Sequence, residues 1–326
     1  MRVLVTGGAG FAGSVAVREL LSRGHEVRVL DALLYGGQGL LDCYGHERFQ
    51  FVRGDIRSAE VVHTALEGME AVVHLAAIVG DPACARDKVL AREVNLDASI
   101  QLFNLARQAG IRLVIFASTC SNYGKMDNPL ELLTEESALR PVSFYAETKV
   151  QAEQALLGTS ATVGFTPCVL RFATLFGLSP RMRFDLTVNE FTMELLTKRR
   201  LKIYGEQFWR PYVHVADAAR AICLVLEGDP GAVAGEAFNV GDTRMNYQKG
   251  QLVDLICRHL GNHSQIERVP QGEDPRDYRV SFEKISRRLG FRVSRTVEAG
   301  VREVAHAIEQ GIVSDVNNPR YRNVPS

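Results

Sequence analysis

The sequence predicts an α/β fold: a doubly wound parallel sheet with a smaller C-terminal α/β lobe. Three observations predict it. Short apolar runs alternate with amphipathic stretches through the first half of the chain, a glycine-rich turn follows the first run directly, and the rhythm changes after Gly177. The length, 326 residues, fits one large or two fused domains.

The elements follow in order. Residues 3–5 form a buried strand that ends at Gly7. Residues 14–22 have helical spacing, with Val15, Val17, Leu20 and Leu21 toward a sheet, and Gly24 ends that helix as a left-handed cap. Residues 26–30, 49–53, 71–75, 113–117 and 168–172 read as further strands, and residues 59–66, 89–108 and 144–157 as the helices between them. Strand–helix alternation with short links implies a mostly parallel sheet covered on both faces, with right-handed crossovers. Beyond the loop at residues 180–183, helices are expected at 187–197, 215–227 and 246–260, and strands at 201–204 and 238–240. The division expected is residues 1–177 for the first domain and 178–326 mainly for the second lobe, with some segments returning to the first. No Pro-, Gly- or Ser-rich linker separates them. Residues from Asn317 onward, polar with two prolines, read as a loose tail.

Composition excludes several classes. Lys+Arg and Asp+Glu are both 38, so bulk charge does not drive binding to nucleic acid or to an anionic membrane. Mean hydropathy is −0.04, and no apolar run approaches the roughly 20 residues of a membrane helix. The start, MRVLVTGGAG, carries no basic region before an apolar segment, so no signal peptide is expected. Six cysteines without a CxxC pair or His/Cys ligand spacing read as the reduced thiols of a cytoplasmic protein, with no metal site.

Two constellations carry chemistry. In Thr6-Gly-Gly-Ala-Gly-Phe-Ala-Gly13, glycines 7, 10 and 13 sit between a strand and a helix. Gly7 permits a tight turn, Gly10 lets backbone approach a pyrophosphate, and Gly13 lets helix and strand pack closely. Amides at Gly10, Phe11 and Ala12 and the helix dipole favour phosphate there. Asp31 ends the second strand at the spacing expected of a carboxylate on the adenosine ribose, which selects NAD and repels a 2′-phosphate. The bland reading is a glycine turn beside an N-cap aspartate. The second constellation is Tyr145 and Lys149, four residues apart on one face of a predicted helix. A neighbouring ammonium lowers a phenol's pKa and lets it exchange protons near neutrality. A YxxxK pair alone is common. Here Ser118-Thr119-Cys120-Ser121-Asn122-Tyr123-Gly124 ends the fifth strand, where an open parallel sheet presents its reacting groups.

With these motifs, and with Gly54-Asp55-Ile56, His74-Leu75-Ala76-Ala77, Asn95, residues 171–177 and Trp209-Arg-Pro-Tyr-Val-His-Val-Ala-Asp217 in consistent order, the chain resembles an extended short-chain dehydrogenase/reductase of the nucleotide-sugar epimerase/dehydratase group. The resemblance implies a Rossmann domain holding NAD. Gly7, Gly10, Phe11, Ala12, Gly13 and Asp31 would line the cofactor site. Asp55 and Ile56 would hold the adenine, and Leu75, Ala76 and Ala77 would pass beneath the phosphates and the nicotinamide ribose. Asn95 would sit under the active site, where a purely structural asparagine is equally compatible. Thr119 would hydrogen-bond the reacting sugar oxygen, Tyr145 would be the general acid/base, and Lys149 would bond the nicotinamide ribose. Thr174 stands where an asparagine is common. Arg210 would grip the substrate diphosphate, unless it is an ordinary surface arginine. The second diphosphate arginine aligns with Gln271, and Arg268 or Arg276 would substitute.

Departures narrow the chemistry. 4,6-Dehydratases place Asp and Glu directly after the Thr, where this chain has Cys120 and Ser121; decarboxylases keep a glutamate at the second position. Cys120 reads as packing, and His74 and His214 as structural histidines. The leading expectation is therefore an NDP-sugar 4-epimerase working through a transient 4-keto sugar. The alternatives are an NDP-4-ketosugar reductase using NAD(P)H and a non-catalytic dinucleotide sensor. Apolar residues on more than one face of 96–108 and 150–157 suggest a homodimer.

Overall fold

The computed structural model describes residues 1–323 except 127, 129–130, 160–163, 262–263 and 275; positions 324–326 of the expected tail lie outside the described residues. The strands are β1 (Arg2–Thr6), β2 (Glu26–Asp31), β3 (Phe49–Arg53), β4 (Ala71–His74), β5 (Leu113–Thr119), β6 (Thr166–Phe172), β7 (Thr174–Phe176), β8 (Arg200–Tyr204), β9 (Trp209–His214), β10 (Glu236–Val240), β11 (Asn246–Gln248) and β12 (Gln265–Val269). The helices are α1 (Phe11–Ser22), α2 (Ala59–Leu66), α3 (Asp81–Arg86), α4 (Lys88–Arg92), α5 (Ala98–Gln108), α6 (Phe144–Leu157), α7 (Thr187–Thr197), α8 (Val215–Glu227), α9 (Pro230–Val233), α10 (Lys249–Leu260), α11 (Glu283–Leu289) and α12 (Val297–Glu309).

Seven strands form one sheet in the order β10-β6-β5-β4-β1-β2-β3, every pair parallel. The strand order reverses on either side of β1, the doubly wound Rossmann arrangement in which ligands sit beyond the carboxyl ends of the strands. Alternation along β1 explains the layers. Val3 and Val5 face α1 and α8, where Val17, Leu20, Ile222 and Leu226 pack. Leu4 faces the opposite side with Val62, Leu66, Leu102, Phe103 and Leu156 of α2, α5 and α6. β10 and α8, from the second half of the chain, complete the main sheet and its cover. The second lobe is built on two small sheets, β11-β9-β7 and β12-β8, closed by α7, α10 and α12.

Three expectations need correction. The helix expected over 89–108 is α4 and α5 joined by a π-helical turn at Glu93–Asp97. The helix expected over 246–260 begins with β11, paired antiparallel with β9. The tail from Asn317 is docked as far as Asn323: a turn at Pro319–Tyr321 lays Tyr321 edge-on to Phe184, 5.7 Å between ring centres. Half-buried Tyr321, packed on Phe184, holds it in place despite its polar composition.

A buried ion pair ties β6 to α6. Arg171 and Glu153 are 5% and 1% exposed. Arg171 Nε donates to Glu153 Oε1 (3.0 Å), Ser118 Oγ of β5 donates to Glu153 Oε2 (2.8 Å), Arg171 Nη1 donates to Tyr123 OH (2.8 Å), and that hydroxyl donates to Asn239 Oδ1 of β10 (2.7 Å). Removing one partner strands the other's charge away from water, at about 3–5 kcal/mol, whereas replacing both with apolar groups is far less damaging. Arg171→Met is therefore expected to lose about that much stability in urea unfolding, and Arg171→Met/Glu153→Met to recover part of it. A loss below about 1 kcal/mol in the single variant would contradict a desolvated pair.

Candidate active site and dinucleotide cleft

The cleft forms at the carboxyl edge of β1, β2 and β4. Gly7 has φ +74, and a β-carbon there would stand 2.6 Å from the Ala76 amide nitrogen; one at Gly13 would stand 2.1 Å from the Gly7 carbonyl oxygen. A side chain at Gly7 would collide with the Leu75–Ala76 backbone, and one at Gly13 would push α1 off the turn after β1. α1 opens after Gly10 with no side chain capping it. The Gly10 amide donates to the Gly7 carbonyl (3.1 Å), so the free donors of the turn are those of Phe11, Ala12 and Gly13, one residue later than expected. Such a bare helix start attracts an anion.

Gly7, Gly10, Phe11, Ala12, Gly13, Asp31, Asp55, Ile56, Leu75, Ala76 and Ala77 all line this cleft. Asp31 accepts from the amides of Ala9 (3.0 Å) and Leu33 (2.7 Å). Burial pushes its carboxyl up, while the two amides and Arg181 pull it back. Asp55 is held by Arg57, whose backbone amide (2.9 Å) and Nη2 (2.8 Å) bond its carboxylate and keep it below the usual range.

Asn95 belongs elsewhere. It sits on the π-helical turn at 0% exposure, and both its amide atoms are spent on Ile78, whose N–H it accepts (2.8 Å) and whose carbonyl it meets (2.9 Å). It clamps the loop after β4 and does not line the cleft. Its amide nitrogen also meets Cys84 Sγ (3.7 Å).

Thr119 ends β5, and its Oγ1 accepts from the Ser121 amide (3.1 Å), leaving its own proton to donate. Tyr145 and Lys149 lie one turn apart on α6. Lys149 is 3% exposed, with Nζ 4.3 Å from the centre of the Phe116 ring, and burial lowers its pKa to about 7. The expected lowering of the Tyr145 phenol by Lys149 is not found. Burial first, then Cys84, pushes the phenol up, and Lys149 is not among the groups that move it. Lys149 instead lies against Phe116, the ring on which His74 stacks. His74 is bonded to Thr6 Oγ1 (2.7 Å) and Ser99 Oγ (2.9 Å), and burial holds it neutral, at about 3.

The substrate-side residues are more heavily engaged than expected. Arg210, 8% exposed, donates to Asp274 (2.7 Å), to the Trp209 carbonyl (2.7 Å) and to the Arg276 carbonyl. This ties it into the lobe, with Nε and one Nη2 hydrogen not engaged by these bonds. Arg276 is the freer arginine. It pairs with Asp81 at the start of α3 (2.8 Å) and, more loosely, with Asp274 (3.5 Å). Thr174 is half-buried at the start of β7 and does not line the dinucleotide cleft. Cys120 is wholly buried, its thiol donating to the Arg171 carbonyl (3.2 Å), and Ser121 Oγ lies 3.3 Å from Tyr278 OH. Sequence reasoning missed Tyr35, Arg181, Arg183 and Asn323, which also line the cleft. Two arginines in the turn after Gly177 were the available signal for two of them; Asn323 had none.

The cleft fits a dinucleotide: a bare helix start for pyrophosphate, a glycine cradle that any β-carbon would fill, and a carboxylate at the ribose end; Thr119, Tyr145 and Lys149 are not among its lining residues. Fold and site thus define a dinucleotide-binding enzyme of the Rossmann type. The chain belongs to the NAD dependent epimerase/dehydratase family, which it matches over residues 3–241, and its cofactor is NAD. It is similar to a UDP-glucose 4-epimerase of Corynebacterium glutamicum, 28% identical over 315 residues that cover 91% of this chain and 92% of that one. It is equally similar to a dTDP-glucose 4,6-dehydratase of Streptomyces griseus, 32% identical over 299 residues, covering 89% and 88%. The crystal structure of DesIV, a dTDP-glucose 4,6-dehydratase from Streptomyces venezuelae with NAD bound, superposes with a TM-score of 0.85 at 31% identity, covering 96% and 98%.

The buried lysine has a measurable consequence. Its pKa is about 7 in the folded protein against 10.5 ordinarily. Between those values the unfolded chain binds the extra proton, so this lysine's contribution to stability rises with pH through that window. In NAD-free protein, Lys149→Met should be more stable than wild type at pH 6, with the difference shrinking toward pH 9. A difference independent of pH, measured by chemical denaturation, would show that Lys149 is not desolvated as described.

Proposed function

We propose that the protein is an NDP-sugar 4-epimerase that passes through a transient 4-keto sugar. The observation that carries this reading is the pair of residues after Thr119. Cys120 turns its thiol inward to the Arg171 carbonyl, with burial pushing the thiol up, and Ser121 faces Tyr278. Neither offers the carbon acid/base pair that loss of water across C5 and C6 demands. What remains is one proton site, Tyr145 on α6, with Lys149 one turn further along the helix and Thr119 at the end of β5.

NAD, when bound, supplies the hydride acceptor and donor for C4. The chain's own residues do the rest. Thr119 donates a hydrogen bond to the C4 oxygen and fixes its position. Tyr145 takes the C4 hydroxyl proton and returns it to the same oxygen after the sugar has turned. Burial holds the free phenol protonated, so its proton must leave as positive charge gathers nearby, and Lys149 is the chain's cation on that helix face. Arg276, once drawn from Asp81, is the cation available for the substrate diphosphate. A 4-ketosugar reductase would use the same three groups, but Asp31 disfavours the 2′-phosphate of NADPH.

With UDP-, dTDP-, GDP- and CDP-hexoses offered to NAD-loaded protein, one should be interconverted with its C4 epimer, without net absorbance change at 340 nm. Tyr145→Phe should keep NAD but lose roughly 10²- to 10⁴-fold in turnover, and Thr119→Ala should lose less. Stoichiometric oxidation of NADH or NADPH by a 4-keto sugar would move the assignment to a reductase. Solvent deuterium appearing at C3 or C5 would return Cys120 to consideration.

We further propose a homodimer paired through α5 and α6. Ile100, Leu105 and Leu157 remain only partly buried on these helices, beside exposed Asn104, Gln151 and Gln154. Light scattering at micromolar concentration should give twice the 36.0 kDa chain mass; a monomer would overturn the pairing.

A further inference from the structure

We propose that the segment ending at Asn323 is a strap across the NAD cleft, and that Asn323 is a cofactor-binding residue. The path of the chain carries this. The segment is first pinned to the second lobe: the Phe184 amide donates to the Tyr321 carbonyl (2.8 Å), the Tyr321 ring meets Phe184 edge-on, and the Asn323 amide donates to Asp185 Oδ2 (3.1 Å). It then bonds to two loops of the first domain. Asn323 Nδ2 donates to the Val79 carbonyl, beyond β4 (3.0 Å), and Tyr35 OH, beyond β2, donates to the Asn323 carbonyl (3.3 Å). In the sheet, β1 lies between β2 and β4, and its glycine loop is the pyrophosphate seat. A residue bonded to the loops on both sides therefore spans that seat.

The side chain of Asn323 itself points to a ligand. It lines the cleft, and its Oδ1 is shielded from solvent with no hydrogen-bond partner among the described residues. The amide orientation is settled by the Val79 carbonyl, which requires a donor and takes the nitrogen. A shielded acceptor without a donor is unfavourable, and such groups in folded proteins are nearly always satisfied. A dinucleotide in this cleft brings ribose hydroxyls, which are donors, to the end where Asp31 and Tyr35 stand. Tyr35 is held in place by Arg181, whose guanidinium lies 4.2 Å from the ring centre. Bound NAD thus satisfies Asn323, while the strap must lift before NAD leaves. The inference concerns retention of NAD and does not depend on which sugar reacts.

The test measures NAD directly, by calorimetric titration of NAD-stripped protein and by the rate at which loaded protein releases NAD after dilution. Asn323→Ala removes one hydrogen-bonding group from the cleft and should weaken NAD about 3- to 10-fold, the range for a single hydrogen bond. Tyr321→Ala touches nothing in the cleft but unpins the strap, so it should speed NAD release. Deletion of residues 319–326 should do both, more strongly. If the deletion does not fold, the two point variants still decide the matter. Wild-type NAD affinity and release in both would overturn the strap. So would a lower melting temperature of the NAD-free protein with NAD affinity and release unchanged, which is the signature of a tail that only braces the fold.

Discussion

The reacting end of this protein depends on one carboxylate kept away from water. Glu153 lies four residues beyond Lys149 and eight beyond Tyr145, so all three share one stripe of α6. Its oxygens are claimed by Arg171 of β6 and Ser118 of β5, and Arg171 is claimed in turn by Tyr123. A buried carboxylate cannot slide without losing these partners, and no water replaces them. The helix is therefore fixed in rotation and along its axis relative to the edge that presents Thr119. Ser118 and Thr119 are consecutive residues on β5, so one points to the ion pair behind the site and the other into it. Proton chemistry that tolerates little misplacement is thus referenced to an electrostatic anchor behind the site.

How much was legible in the sequence follows from how local each feature is. The glycine loop, Asp31 and the Tyr145/Lys149 stripe are set by spacing within one turn or one strand–helix unit, and sequence spacing reports such units well. The parallel sheet was legible because strands buried on both faces read as unbroken apolar runs. What escaped depends on contacts far apart in the chain. Asn95 follows the motif order of the resemblance, yet its partner is the backbone of Ile78, 17 residues back. Arg210 carries the expected residue type, but Asp274, 64 residues later, takes it. The docked tail could not be read from a polar, proline-bearing composition, because its anchors, Phe184 and Asp185, lie far away in the chain, 138 residues before Asn323 in the case of Asp185.

The electrostatics of the site explain a second disagreement between pattern and structure. A YxxxK spacing suggests a lysine that tunes the tyrosine directly. In the folded chain, Lys149 instead lies over Phe116, near a histidine that burial holds neutral. Had His74 been protonated, two cations would have faced one aromatic ring in a dry pocket. Its bonds to Thr6 and Ser99 satisfy both nitrogens without added charge from outside the ring. Lys149 is left near the balance point between ammonium and amine, so its charge is decided by what is placed beside it.

The same scaffold serves relatives named for epimerisation and for dehydration, so the scaffold alone does not select the reaction. The selection lies in how many proton sites surround the sugar. Removing and restoring a hydrogen at C4 needs one, because the proton returns to the oxygen it left. Expelling water across C5 and C6 needs two more, one to take the carbon-bound proton and one to give a proton to the departing hydroxyl. On the reading proposed above, Cys120 and Ser121 at the end of β5 supply neither. Residue 120 opens the 3-10 turn that follows β5 and is wholly buried, its thiol donating to the Arg171 carbonyl. Residue 121 is a hydroxyl facing another hydroxyl, and neither is a base near neutral pH. Placing a carboxylate at 121 would add an acid/base beside Tyr278, but at 120 it would add a second buried carboxylate to the one already held at Glu153. The anchor that positions α6 therefore also limits which chemistry this edge of the sheet accepts.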